Sequence, residues 1–114
     1  MLRLGHIELF VADPVGSMPF YRDALGFELV EVQGDKVVWL KSGDTELLLR
    51  PGANDTPAGN YQRAPIAMVL YTDDLTATSA RLAEHGIQIR GDDGPGCLTF
   101  TDPDGHWLQL VEFA

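Results

Sequence analysis

The side chains that could do chemistry begin with a histidine and a glutamate near the start of the chain. His6 and Glu8 are two residues apart, so a β-strand here would point both side chains to the same side. Such a pair could move a proton at a carbon next to a carbonyl, although without a metal most of the usual stabilisation of an enolate is absent. The alternatives are a histidine hydrogen-bonded within the sheet and a glutamate facing solvent.

Other catalytic patterns are missing from the sequence. No Ser-His-Asp or Cys-His arrangement follows from the spacing, and no glycine-rich loop leads from a strand into a helix. The single Cys97 cannot form an internal disulfide, which favours a reducing, cytoplasmic compartment. We expect Cys97 to be a buried or loop thiol without a redox role.

The elements that must position these groups follow a repeated order. Alternating hydrophobicity predicts a first strand from His6 to Val11. A helix is predicted from Ser17, acting as its N-cap, to Leu25, with Gly26 ending it. Three more strands are predicted at Phe27 to Val32, Lys36 to Lys41 and Thr45 to Arg50.

The same order returns after a segment rich in proline, glycine, asparagine and aspartate. A second helix is predicted from Asp74 to His85, with Gly86 ending it. The spacing from His6 to Asp13 equals that from Ala67 to Asp74, which indicates an internal duplication. The strands of the second copy are predicted at Ile66 to Thr72, Ile87 to Arg90, Leu98 to Thr101 and Trp107 to Phe113.

These patterns predict an α+β fold with two tandem βαβββ modules. The modules form a curved mixed sheet around a cavity, with the helices outside. We expect a single domain over residues 1–114, with module 1 at about 4–51, a linker at about 52–65 and module 2 at about 66–113. A chain of 114 residues is long enough for one hydrophobic core and too short for two independent ones.

Three segments carry a resemblance to a known superfamily. They are Gly5 to Leu9, Phe20 to Phe27 and Phe100 to Gly105. Together they resemble the vicinal oxygen chelate superfamily, which includes glyoxalase I, bleomycin-resistance proteins, fosfomycin-resistance thiol transferases, methylmalonyl-CoA epimerase and extradiol dioxygenases. The resemblance extends over essentially the whole chain, and it specifies the fold more closely than the reaction.

The resemblance also implies where a divalent cation would be held, since metal-dependent members use His, Glu or Gln from the first and fourth strands of each module. The matching positions are His6, Leu47, Ala67 and Gln109, of which Leu47 and Ala67 cannot ligate. We therefore predict no tightly bound metal. A one-residue slip would bring in Glu46 and leave a weaker set of His6, Glu46 and Gln109, but equal spacing from Gly43 and Gly105 favours Leu47.

The predicted ligand site is mostly apolar, with a few polar groups to orient the ligand. Trp39 would lie opposite Leu47 if the turn between their strands takes three residues, and Trp107 shares the strand face of Gln109. Indoles that merely fill the core are the alternative, and Tyr71 is a weaker candidate. The residues predicted to bind the ligand are His6, Glu8, Trp39, Leu47, Leu49, Ala67, Val69, Trp107 and Gln109.

The leading function is a small-molecule-binding protein similar to bleomycin-resistance proteins, without a catalytic metal. The alternatives are a metal-dependent lyase, isomerase or dioxygenase of the glyoxalase I type, and an interaction domain whose cavity is filled by its own side chains. A net charge of −9, from 17 acidic and 8 basic residues, argues against nucleic acid. No apolar run approaches the roughly 20 residues of a membrane span, so we expect a soluble protein. The resemblance implies a homodimer.

Overall fold

The structure, a computed structural model, describes residues 1–113 and divides the chain into two compact units. The first unit is Met1–Asn54 and the second begins at Asp55. Each unit contains one small mixed sheet and one main helix, so the fold class is α+β, as predicted. No helix within residues 1–113 combines the length and the apolar character that crossing a membrane requires.

The first unit is built on a four-stranded sheet with the order β1-β4-β3-β2. Strand β1 is parallel to β4, and the other neighbours are antiparallel. A short helix, α1 at Pro14–Pro19, continues as a π-helical turn at Phe20–Ala24 and packs against β3 and β4. The strands are β1 at Ile7–Val11, β2 at Glu28–Gln33, β3 at Val37–Ser42 and β4 at Thr45–Pro51.

Helix α1 begins earlier than predicted, and Asp13 caps it in place of Ser17. The Asp13 carboxylate accepts a hydrogen bond from the backbone N–H of Gly16 at 3.0 Å, which satisfies one of the free donors of the first turn. Pro14 follows at the first helical position, where a missing N–H costs nothing. Ser17 is instead buried inside the helix, so the predicted cap was wrong.

The second unit carries a three-stranded sheet with the order β5-β7-β6, in which β5 is parallel to β7. Helix α2, at Leu75–Glu84, packs against β7. Its predicted cap is confirmed, since the Asp74 side chain accepts from the N–H of Ala77 at 3.0 Å. Gly86 follows the helix at a φ of 76°, which favours glycine. The strands are β5 at Met68–Thr72, β6 at Cys97–Thr101 and β7 at Trp107–Glu112.

Residues 87–90 do not form the predicted strand. The backbone N–H of Arg90 donates to Thr99 at 2.8 Å, and that of Thr99 donates to Gly91 at 2.9 Å. These bonds hold the end of the segment beside β6, but no regular ladder extends along it. The second unit is therefore βαββ within the described residues, whereas the first is βαβββ.

The connection from β6 to β7 is held by one buried carboxylate. Oδ1 of Asp102 accepts from the backbone N–H groups of Asp104, at 2.9 Å, and His106, at 2.8 Å. Its other oxygen lies 2.8 Å from Nδ1 of His106. The hydrogen bond to Asp102 raises the pKa of His106 above its usual value, although partial burial opposes the shift.

We expect the contribution of His106 to stability to fall as the pH rises past neutrality. A group whose pKa is raised on folding stabilises the folded state fully below its unfolded pKa, about 6.5 for histidine, and this contribution is lost as the pH rises through the folded pKa. Urea unfolding of the parent and His106→Gln, measured from about pH 6 to 9, should give a difference in unfolding free energy that shrinks with pH. A difference that stays constant over this range would contradict the assignment.

Candidate functional site

The first sheet has one face covered by helix α1 and one face turned away from it. Leu47 pairs with Leu40 across β3 and β4, and both side chains are at most 2% exposed. Alternation along the strands sends the next residues to the other side, where Leu48 pairs with Glu8 and with Trp39. We call this second side the open face because it is turned away from helix α1. Its residues include His6, Glu8, Trp39, Glu46, Leu48 and Arg50, of which Leu48 is itself only 7% exposed.

Trp39 does not pair with Leu47 as predicted. Ser42 pairs with Thr45, so the hairpin tip has two residues and not three. Leu47 and Leu49 therefore point to the helix-covered face, on the side opposite Trp39. The register places Glu46 on the side of Glu8, in place of Leu47.

The prediction that Leu47 corresponds to Gln109 was wrong, because it counted residues from Gly43 and Gly105 and the turns that contain these glycines differ in length. Thr101 pairs with Trp107 across a connection of five residues, whereas the hairpin in the first unit needs only two. The pairing of Val69 with Gln109 in the second unit therefore matches that of Glu8 with Leu48 in the first. Gln109 corresponds to Leu48.

A chain of polar contacts crosses the open face. Nε2 of His6 lies 2.7 Å from Oε2 of Glu8, and Arg50 donates to Oε1 of the same carboxylate at 2.9 Å. The His6 and Glu8 side chains are 32% and 33% exposed, so a ligand can reach them while water surrounds them only in part. The hydrogen bond from Arg50, followed by that from His6, lowers the pKa of Glu8 below its usual value.

Trp39 lies beside these polar contacts, and neighbouring side chains fix its orientation. Its ring meets that of His6 edge to face, with centroids 4.8 Å apart and planes at 65°. The indole N–H donates to Oε1 of Gln33 at 3.3 Å, and the Gln33 amide donates to Glu31 at 3.1 Å. The open face thus combines a partly exposed aromatic ring with fixed polar groups.

The second sheet brings Val69, Thr99 and Gln109 together on one face, and Ala67, directly before β5, is partly buried. Gln109 is only 7% exposed. Its amide donates to Oδ2 of Asp93 at 3.0 Å, while Gln62 donates to the other oxygen of Asp93 at 3.2 Å. Gln109 is therefore held by its own unit.

Trp107 is covered in the same way and is 3% exposed. Its indole N–H donates to the carbonyl of Ala58 at 2.7 Å. The guanidinium of Arg90 lies 4.8 Å from the centre of the ring, and the Tyr61 ring packs edge to face against it at 6.4 Å. Of the residues predicted on this face, Val69 and the weaker candidate Tyr71 are exposed.

The side chains do not fit a tight site for a divalent metal. Within residues 1–113, no group of three or more His, Cys, Asp or Glu residues is placed to share an ion. The ring nitrogen of His6 and the carboxylate of Glu8 bond each other, and the charge of Arg50 beside them disfavours a cation. Leu48 and Ala67 supply no donor atom.

The fold consists of two small mixed sheets, each with its own helix, and a family model identifies the protein family to which the chain belongs. It is a member of the Glyoxalase/Bleomycin resistance protein/Dioxygenase superfamily, whose family model matches residues 3–110. This match confirms the superfamily predicted from the sequence. No curated protein shows significant similarity to the chain.

Solved structures share this fold at low sequence identity. A lactoylglutathione lyase from Agrobacterium tumefaciens is 22% identical, with a TM-score of 0.70 over 96% of this chain and 92% of that chain. The fosfomycin resistance protein FosX from Listeria monocytogenes, in complex with Mn(II) and sulfate, is 18% identical, with a TM-score of 0.78 over 100% and 92%. An integron cassette protein from the mobile metagenome of V. cholerae is 22% identical, with a TM-score of 0.73 over 100% and 97%.

Proposed function

We propose that this chain binds a small organic molecule, in the manner of bleomycin-resistance proteins, without a tightly bound catalytic metal. The observation that carries the proposal is the open face of the first sheet. There Trp39 lies beside the hydrogen-bonded chain of His6, Glu8 and Arg50. A flat apolar surface next to a few oriented polar groups is the usual composition of a ligand site.

The ligand site of this proposal is narrower than the one expected from the sequence. It keeps His6, Glu8 and Trp39 and adds Arg50, whereas Leu48 is only 7% exposed and lies beneath them. Leu47 and Leu49 are left out because they face the helix. Trp107 and Gln109 are left out because they are already packed and hydrogen-bonded within the second unit. Ala67 and Val69 are left out because they offer neither a polar group nor an aromatic ring.

A metal-dependent lyase, isomerase or dioxygenase is the second candidate function. It is favoured by the register, which puts Glu46 on the same face as His6 and Glu8, and by the fold shared with a lactoylglutathione lyase. It is opposed by the ion pair between Glu8 and Arg50. Metal content separates the two candidates.

We expect protein purified without chelator or affinity-column metal to contain far less than one equivalent of divalent metal after dialysis. The reason is the shortage of donors around His6. Elemental analysis of the parent, His6→Ala and the control His85→Ala measures this. One full equivalent of zinc, nickel, iron or manganese that is lost only in His6→Ala would support the enzyme instead.

The proposal also includes the oligomeric state, the cellular location and the type of partner. A homodimer follows from the family resemblance, and a cytoplasmic location follows from the single Cys97. A small molecule, and not nucleic acid, is the expected partner of a chain with a net charge of −9. A ligand screen on the metal-free sample, read by tryptophan fluorescence, tests the proposal as a whole.

A further inference from the structure

The carboxylate of Glu8 is shared between two donors. One oxygen lies 2.7 Å from Nε2 of His6, and the other accepts from Arg50 at 2.9 Å. The guanidinium of Arg50, which is always positively charged, favours the ionised form of this carboxylate. An ionised carboxylate has no proton to donate, so it acts only as an acceptor in both contacts.

This arrangement decides which nitrogen of His6 carries the proton. Because Glu8 can only accept, the hydrogen of the short contact must belong to Nε2 of His6. A neutral imidazole has one N–H and one lone pair, so the lone pair is then on Nδ1. Within residues 1–113, the ring makes no hydrogen bond besides the one to Glu8.

We propose that Glu8 and Arg50 hold His6 as the Nε2–H tautomer, and that Nδ1 of His6 accepts a hydrogen bond from an O–H or N–H group of the ligand. This inference rests on the proposed function and names the ligand class: a flat, partly apolar molecule such as a phenol, whose ring lies near Trp39. Glu8 and Arg50 are positioning residues, since they act on the ligand through His6.

The proposal also explains how this face would discriminate between ligands. A ligand whose hydroxyl is methylated cannot donate to Nδ1, and the lone pair then loses its partner on binding. Leaving a polar atom unpaired in a desolvated site costs more than a hydrogen bond between neutral groups normally contributes. We therefore expect a preference for the hydroxyl compound of about tenfold or more.

The first test reads the tautomer directly. Nitrogen NMR of labelled protein at about pH 8, where an ordinary histidine is neutral, should show Nε2 of His6 protonated and Nδ1 unprotonated. Glu8→Ala should give a mixture of tautomers. Glu28→Ala is the matched control because it removes an exposed acidic side chain from the same sheet, paired with Lys41 and not with His6. A dominant Nδ1–H form in the parent overturns the proposal.

The second test uses para-cresol and para-methylanisole as a matched pair of probes, with binding followed by NMR titration. The parent and Glu28→Ala should prefer para-cresol by about tenfold or more. Glu8→Ala should reduce this preference to about threefold or less, and Arg50→Lys should retain more of it than Arg50→Ala, because lysine can still donate to Glu8. An unaltered preference in Glu8→Ala overturns the positioning role.

The two proposals fail in different ways. Equal affinity for both probes, with both lost in Trp39→Ala, would overturn the hydrogen bond to Nδ1 and leave the proposed binding function standing. Failure of para-cresol to bind would overturn the ligand class named here. A ligand screen without any hit on the open face would instead overturn the proposed function, whatever the tautomer of His6.

Discussion

Replacing Trp107 by alanine is expected to lower the free energy of unfolding by about 3 to 5 kcal/mol, the range for removing a large buried aromatic side chain. The ring is 3% exposed and lies between Arg90 and Tyr61. Its loss would leave a cavity and would also deprive the Ala58 carbonyl of its donor. Chemical denaturation followed by circular dichroism measures the change.

Trp107→Phe is the control that separates packing from hydrogen bonding. Phenylalanine fills most of the space but has no N–H, so we expect a loss of about 1 to 2 kcal/mol. A Trp107→Ala protein within about 1 kcal/mol of the parent would contradict the packed role. It would return Trp107 to the ligand-facing role predicted from the sequence.

Replacing Trp39 by alanine is expected to weaken ligand binding by well over tenfold. The indole supplies the aromatic surface of the open face, and aromatic pairing adds about 0.5 to 1.5 kcal/mol beyond the area that it buries. Calorimetry or NMR titration with a hit from the ligand screen measures the effect. Stability should change less than in Trp107→Ala, because Trp39 is only partly buried.

The matched controls for this prediction are Trp39→Phe and Trp107→Phe. Trp39→Phe keeps an aromatic ring and should lose less affinity than Trp39→Ala. Trp107→Phe should bind the ligand as the parent does, since the ring of Trp107 is packed inside the second unit. Unchanged affinity in Trp39→Ala, together with unchanged fluorescence on ligand addition, would show that the ligand does not use the open face.

Much of the fold could be predicted because its signals are local. Alternating hydrophobicity marks β1, whereas β4 is marked by a run of three consecutive leucines, Leu47 to Leu49, all of which are buried. Asp74 and Gly86 bracket α2 through hydrogen bonding and a positive φ that need only neighbouring residues. Six of the seven strands that the structure describes begin within one residue of the predicted start, and β5 begins two residues later.

The errors came from features that depend on more than local sequence. The register of β4 depends on whether a turn has two residues or three, and Gly43 is compatible with both. Residues 87–90 alternate as a strand would, yet their backbone is bonded to β6 only at Arg90, whose side chain lies against Trp107. The start of the first helix was predicted at Ser17, although Asp followed by Pro, as at Asp13 and Pro14, is also a helix start.

Part of the arrangement around His6 could be predicted. The spacing of His6 and Glu8 predicts that they share one side of a strand, and the structure has them in contact, with His6 directly before β1 and Glu8 within it. Arg50 was missed, although it lies two residues beyond Leu48 and alternation places it on the same face. A search for a basic partner of Glu8 on the parallel strand would have found it. The role of Gln33 in orienting Trp39 depends on side-chain rotamers that the sequence does not reveal.

Residues on the two faces of the first sheet alternate along each strand, so substitutions that affect packing and substitutions that affect the open face fall at different positions. Codons for Val38, Leu47 and Leu49 are constrained by packing, whereas those for Glu8, Trp39 and Arg50 are interleaved with them on the opposite face. If the open face binds the ligand as proposed, exposed residues on it can change in evolution while the packed scaffold stays the same. A combinatorial library restricted to these interleaved positions would explore new specificities without first requiring a more stable parent.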